Sequence, residues 1–387
     1  MLKINQKPSL RFKGFSDAWE QYRLGDLGKT FTGLSGKSAN DFGHGDGRYV
    51  TYMNVFANTI SNPSIVEKIE VDNSQNQVQY CDVFFTTSSE TPEEVGMSSI
   101  WLNNTENTYL NSFCFGYRPH FKFDPLYLGY LLRSPMFRKD ITILAQGISR
   151  YNISKNKVME IKVLIPSLEE QNKIGTSLRK LDNLITLHQS KYGKLVNIKK
   201  ALLGKMFPEN GFDIPKIRFK GFTDAWKNRA LGEILKTYQF KPFLAEPNVN
   251  GKYQIIQQGD NSVAGFADGN PFENFEKVIL FGDHTVSIYK PEKPFFLATD
   301  GIKILSSDGL NGDFLYFLMA RYKPSPQGYT RHFTVLKAIS SWITTNAIEQ
   351  SKISVFLKSL DNLIILHQLK YEKLVNIKKA LLEKMFI

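Results

Sequence analysis

The sequence predicts an α+β protein: two dissimilar modules, each a mixed β-sheet with helices, separated by an antiparallel pair of long coiled-coil helices. Three observations carry that expectation. Residues 181–207 (LDNLITLHQSKYGKLVNIKKALLGKMF) return at 360–386 (LDNLIILHQLKYEKLVNIKKALLEKMF) with 23 identities in 27 positions. Residues 11–31 (RFKGFSDAWEQYRLGDLGKTF) return at 218–238 (RFKGFTDAWKNRALGEILKTY) with 12 identities in 21. Between these matched segments the halves share almost nothing. A constant frame is written twice around two variable inserts, which implies one job done on two different targets.

The first module occupies residues 1–165, with a variable core at about 32–165. Its stretches TGLSGKSANDFGHGDGRYVTY, CDVFFTTSSE and TYLNSFCFGYRP are β-branched and aromatic runs bounded by Gly, Asn, Asp and Ser, the pattern of strands. FKFDPLYLGYLLRSPMFRKDI reads as one helix, capped by Asp124 with Pro125 in the first turn. A helix then fills 166–207 and a linker 208–217. The second module, 218–345, repeats this grammar in other words: GKYQIIQQG, EKVILFGDHTVSIY, PFFLATDGIKIL, then a helical GDFLYFLMARYK. The second copy of the helix takes 346–387 and runs to Ile387, so no further functional tail is expected.

Stepping by fours and threes through the first helix gives Ile174, Leu178, Leu181, Ile185, His188, Tyr192, Leu195, Lys199, Leu202 and Met206. The second gives Ile353, Leu357, Leu360, Ile364, His367, Tyr371, Leu374, Lys378, Leu381 and Met385. That is the spacing of a coiled-coil seam, and Leu178 to Leu195 and Leu357 to Leu374 are its candidate interhelix and partner-interface residues. Leu184, Leu187, Ile198 and their counterparts Leu363, Leu366 and Ile377 widen the apolar stripe beyond one seam. Thirty-three residues make a rod of about 50 Å; a turn of duplex DNA is about 34–36 Å, so such a rod suits two readers one turn apart. The plainer reading is a helical hairpin serving stability alone.

A net charge of +12 favours a polyanionic partner. Residues 169–207 hold eight Lys/Arg against three Asp/Glu, and 348–387 hold seven against four, so the helices supply +5 and +3 of it. Either the rod lies near phosphate or its Lys-rich face meets an acidic protein. Apolar content of 42% and charged content of 22% argue against wholesale disorder. Cys81 and Cys114 form no CxxC pair, so neither a disulfide scaffold nor a structural metal is expected. The opening MLKINQKPSLRF lacks the apolar core of a signal peptide, and no run of about 18 apolar residues is present. A soluble cytoplasmic protein without membrane contact is expected.

One short loop is common to the variable parts: Gln146-Gly147-Ile148-Ser149-Arg150-Tyr151 matches Gln327-Gly328-Tyr329-Thr330-Arg331-His332. Glycine permits an unusual turn, arginine offers a planar donor fork, and a hydroxyl and a ring follow. Gln146, Ser149, Arg150, Tyr151, Gln327, Thr330, Arg331 and His332 are therefore candidate DNA contacts, to phosphate or a guanine edge. Lys37 and Arg48, basic residues of the first variable stretch, join them. The alternative is that the loop caps and orients its module.

Signals for chemistry fail one by one. Gly33-Leu34-Ser35-Gly36-Lys37-Ser38 has its first glycine too close to Gly36 to form a phosphate cradle. Gly43-His44-Gly45-Asp46-Gly47 reads as a turn. Asp124-Pro125-Leu126-Tyr127 departs at its third residue from the Asp/Asn-Pro-Pro-Tyr motif of amino-methyltransferases, and a helix cap accounts for it. The histidines are scattered. A binder without its own catalysis, metal or cofactor is expected.

Two different inserts, each followed by a near-identical helix, resemble the specificity (S) subunit of type I restriction–modification systems, the HsdS family. The resemblance covers essentially the whole chain and rests on RFKGFSDAW and RFKGFTDAW, on IPSLEEQNKIGTSLRKLDNLI at 165–185, and on the doubled LDNLI…LVNIKKALL helices. It implies two target-recognition domains, each reading half of a bipartite, asymmetric site in double-stranded DNA. It also implies that the helices set the gap and dock modification subunits, two in number, which use S-adenosylmethionine to methylate adenine. Restriction subunits, ATP-dependent translocases and nucleases, would complete a complex acting on bacterial DNA. One departure is Ile343-Thr344-Thr345-Asn346-Ala347-Ile348-Glu349-Gln350, which lacks the proline of Leu164-Ile165-Pro166-Ser167-Leu168-Glu169-Glu170-Gln171. A protein-assembly scaffold with two protein-binding modules is the rival reading; a stand-alone methyltransferase comes third, for want of motifs. Exchange of residues 32–165 should change one half-site only, and deleting four residues from one helix should change the gap.

Overall fold

The computed structural model describes residues 7–209, 211–328 and 330–387. The start of the opening segment, Met1–Gln6, and Tyr329 of the common loop lie outside the described residues. The chain divides into two compact units: residues up to His188 with Lys370–Ile387, and residues Gln189–Leu369. The long helices are Leu168–Lys205 and Ala347–Lys384, 38 residues each. The division runs through both of them instead of at their ends.

In the first unit Glu20–Arg23 pairs antiparallel with Lys162–Ile165, closing the insert at its two ends. A four-stranded antiparallel sheet follows the order Gly28–Thr32, Cys114–Pro119, Val83–Thr86, Ser98–Ile100. A three-stranded sheet centres on Phe42–Val50, antiparallel to Val66–Ile69 and parallel to Thr108–Leu110. The second unit has the same topology from unrelated residues. Lys227–Ala230 pairs with Ser340–Ile343. Leu235–Tyr238, Ile302–Ser307, Ile279–Gly282 and Ile288–Tyr289 make the four-stranded sheet. Tyr253–Ile256 lies antiparallel to Val263–Ala267 and parallel to Phe295–Leu297. Central strands such as Val83–Thr86 and Ile279–Gly282 are buried at every residue, which is why they read as unbroken apolar runs.

The single helix expected after Phe123 is two: Pro125–Leu131 and Pro135–Leu144. Pro135 has no N–H to continue the first helix, and Ser134 caps the second by accepting from the Phe137 N–H at 3.4 Å. Asp124 does cap the first, accepting from Tyr127 N–H at 2.9 Å. In the second unit Asn311 does the same for Gly312–Tyr322.

The repeated segments make repeated contacts. Arg11 lays its guanidinium on the buried Glu170 carboxylate through two bonds of 2.7 and 2.8 Å. Arg218 holds Glu349 in the same way at 2.7 and 3.0 Å. Gln171 accepts from Asp124 N–H and donates to Pro166 O, both at 3.0 Å; Gln350 accepts from Asn311 N–H and donates to Thr344 O and Gly309 O. The missing proline leaves this junction intact: Asn346 caps the second helix, accepting from Glu349 N–H at 3.1 Å, and the Thr344 hydroxyl donates to Glu349.

Each unit also receives the end of the helix that follows the other insert. Met385 and Phe386 enter the first core, where Phe386 stacks on Tyr127 with ring centres 5.5 Å apart. Met206 and Phe207 enter the second, where Phe207 stacks on Phe314 at 5.7 Å. Leu10 N–H closes the last turn on Lys384 O at 3.0 Å, and Ile217 N–H does so on Lys205 O at 2.9 Å. Antiparallel pairing is fixed by ion pairs of one design: Asp182–Lys378 in the first unit and Lys199–Asp361 in the second, both 2.5 Å. Lys378 lies over the Tyr130 ring and Lys199 over Phe317.

Candidate nucleic-acid interface

Along the seam, Leu178, Leu357 and Leu360 are buried, while Leu181, Ile185, His188, Tyr192, Leu195, Ile364, His367, Tyr371 and Leu374 are half-buried. Leu184, Leu187, Ile198, Leu363, Leu366 and Ile377 remain exposed. A pair of helices can cover only one stripe on each, so the flanking apolar residues stay on the surface.

The common loop takes two forms. In the first unit Gln146 and Asn152 exchange main-chain bonds of 3.0 and 2.8 Å, closing a small hairpin. Gly147 sits at φ +146, where an added Cβ would lie 2.0 Å from Arg150 O, so only glycine fits. Ser149 and Arg150 are exposed at the tip, and half-buried Tyr151 pairs with Ser89. In the second unit the chain passes directly into the helix His332–Ala338. His332 is not a surface contact there. It is fully buried, its Nε2 accepting from Gln327 N–H at 2.9 Å, which leaves Nδ1–H to donate to Asp283 O at 3.0 Å. Thr330 donates to Gln327 O, bracing the turn, while Gln327, Thr330 and Arg331 are exposed. The residue-by-residue match therefore breaks at its last position, where Tyr151 is in a strand and His332 starts a helix.

Lys37 is also withdrawn from the solvent. Its ammonium lies 2.6 Å from Asp72, holding that carboxyl well below the usual carboxylate range, and its side chain is 12% exposed. It pins two loops together. Arg48 is half-buried and donates to Gly47 O at 2.8 Å. The Gly43–Gly47 stretch is an irregularity within its strand, Phe42 and Gly47 both facing Ile69. Arg133 and Arg138 likewise spend their forks on main-chain carbonyls, of Ser98, Val55 and Phe56 and of Gly96, Glu93 and Val95. Burial pushes both guanidinium groups down to about 10, still charged at neutral pH. Much of the positive charge of the first insert is thus structural.

Sequence reasoning missed what surrounds the first loop. Tyr52, Met53 and Phe56 from the helix Tyr52–Ala57, Ser88 and Ser89, and Phe113 form a surface concavity with Ser149 and Arg150. Met53 and Phe113 are 60% and 57% exposed. A lone exposed Met or Phe carries no signal in sequence; only the fold brings these together. Among the described residues no cluster of three His, Cys, Asp or Glu side chains could hold a metal, and no helix is long and apolar enough to cross a membrane.

Residues 16–197 match the family described as type I restriction modification DNA specificity domain. A putative type I restriction enzyme MjaX specificity subunit of Methanocaldococcus jannaschii is 24% identical over 286 residues, 67% of each chain. The MjaVIII specificity subunit of the same organism is 32% identical over 82 residues, 21% of this chain and 19% of its own. Among solved structures, the type I restriction–modification S subunit of M. genitalium superposes with a TM-score of 0.66 at 16% identity, over 98% of this chain and 99% of its own. At that identity the likeness is one of fold.

Proposed function

We propose that the chain, whose residues 16–197 match the type I restriction modification DNA specificity domain, works as the specificity subunit of such a system. Each insert reads one half of a bipartite, asymmetric site in double-stranded DNA. The paired helices set the gap between halves and dock the methyltransferase subunits. The subunit itself is non-catalytic. S-adenosylmethionine belongs to two modification subunits, and ATP-driven translocation and cleavage belong to restriction subunits, all acting in the bacterial cytoplasm.

The observation that carries this reading is the conservation of topology without sequence. Two inserts with the same strand order are held by the same Arg–Glu, Gln–main-chain and Met–Phe contacts, yet their surfaces differ residue by residue. A frame so constant around surfaces so different is what two readers of different sequences require.

The test is an exchange of residues 32–165 for the insert of a relative, followed by sequencing of methylated adenines in cells carrying the modification subunits. One half of the bipartite motif should change and the other stay. A motif altered in both halves or in neither would refute the reading, and binding without sequence preference would favour an assembly scaffold. Affinity should also fall steeply with salt, because each phosphate contact releases counterions.

A further inference from the structure

We propose that the concavity formed by Tyr52, Met53, Ser88, Phe113 and Arg150 is the base-reading pocket of the first insert, and that it engages base edges and not phosphates. The inference deepens the proposed function and rests on it. Three segments converge there. Tyr52 OH donates to Ser88 O at 2.8 Å, joining the helix Tyr52–Ala57 to the strand Ser88–Ser89. Ser89 pairs with Tyr151, bringing in the loop that carries Arg150. Ile153 N–H donates to Thr87 O at 3.0 Å, locking the loop from below. The loop backbone is anchored at Tyr151 and Ile153, next to the exposed Arg150, and recognition of a base edge requires such a fixed support.

The charges select the ligand. Glu90 and Glu94 line the same concavity as Arg150, two carboxylates to one guanidinium. Such a lining repels phosphate oxygens. It suits base pairs, which present donors as well as acceptors: an arginine fork meets guanine N7 and O6, and a carboxylate accepts from the cytosine amino group. The exposed Met53 and Phe113 supply apolar contact for a thymine methyl. The pocket lies within residues 16–197, the span matched to a DNA specificity domain, which favours bases over a protein ligand.

At the corresponding place in the second unit the chemistry differs. There His284 N–H donates to Gln258 Oε1 and Gly259 N–H to Ser287 Oγ, joining the loop after Tyr253–Ile256 to the end of the strand Ile279–Gly282. The same three-segment junction is made, since His332 N–H donates to Asp283 O at 2.8 Å. The residues that make it, Gln258, Ser287, Asp283 and His332, differ from Tyr52, Ser88, Ser89 and Tyr151 of the first unit, as two different half-sites demand.

The experiment uses the chain assembled with its modification subunits. Methylated motifs are sequenced for wild type, Arg150→Ala, Arg150→Lys and Phe113→Ala, with co-purification and thermal unfolding as folding checks. Arg150→Ala should relax one base position of one half-site by on the order of ten- to a hundred-fold and leave the other half-site intact. Arg150→Lys, which keeps the charge and loses the fork, should relax that same position. Phe113→Ala should weaken preference at an adjacent position. A motif unchanged in all three variants, or a uniform loss at every base, would overturn the pocket alone. A wild-type complex without a bipartite motif would remove the proposed function and the pocket together.

Discussion

Asp82 is sealed from solvent, and Arg118 answers it with two bonds of 2.8 and 2.7 Å while lying 5.0 Å over the Phe31 ring. Burial lifts the Asp82 carboxyl above its usual range, and Arg118 works against that lift. Arg118→Ala would leave the buried Asp82 carboxylate with the Gln79 N–H alone, a loss of about 1–3 kcal/mol. A folded-state pKa raised above the unfolded one gives stability that is present at low pH and lost as pH rises through the folded value. The variant, its Asp82 raised further, should therefore lie closer to wild type at pH 5 than at pH 8, as read by denaturant unfolding at both. An equal deficit at both values would show that Asp82 stays ionised throughout. None of this was legible in the sequence, because Asp82 and Arg118 are unremarkable polar residues 36 positions apart. Lys37 misled for the same reason, its partner Asp72 lying in a separate loop.

The long helices were legible because the four–three spacing of their apolar residues is a local signal; the Ser167 and Asn346 caps emerged only with the structure. The sheets of the inserts were not legible, since strand order depends on pairings far apart in sequence and the two inserts share no residues that betray a common topology. Gly175 shows how packing overrules helix propensity. It lies inside the first long helix, where alanine would ordinarily gain about 1 kcal/mol. An added Cβ would instead stand 2.6 Å from Tyr127 N and 2.7 Å from Asp124 Oδ1, at the capped start of the helix Pro125–Leu131. Backbone cannot yield as a flexible side chain does. Gly175→Ala should thus destabilise the first unit by about 1–3 kcal/mol, visible as a lowered unfolding midpoint; a raised midpoint would mean that the two helices can separate.

Each long helix starts against its own insert and ends in the core of the unit that holds the other insert. Shortening one helix alone therefore sets its terminal Phe against a pairing fixed by Asp182–Lys378 and Lys199–Asp361, and should cost stability before it changes any gap. Removing a matched heptad from both keeps the seam in register. On the proposed reading it shortens the tolerated gap by about three base pairs, from about 10 Å of helix. Methylome sequencing of the matched deletion would check this, and an unchanged gap would take the spacer role away from the helices.

Gln171 and Gln350 touch the inserts almost wholly through main-chain groups: the N–H of Asp124 and Asn311, the carbonyls of Pro166, Thr344 and Gly309. A peptide group presents the same donor and acceptor whatever side chain it carries. The joint is consequently indifferent to what is grafted between its ends, provided the newcomer arrives with a free amide at its first helix and a strand to zip against the entry strand. New specificities can then be acquired by wholesale replacement, without retuning the chassis that receives them.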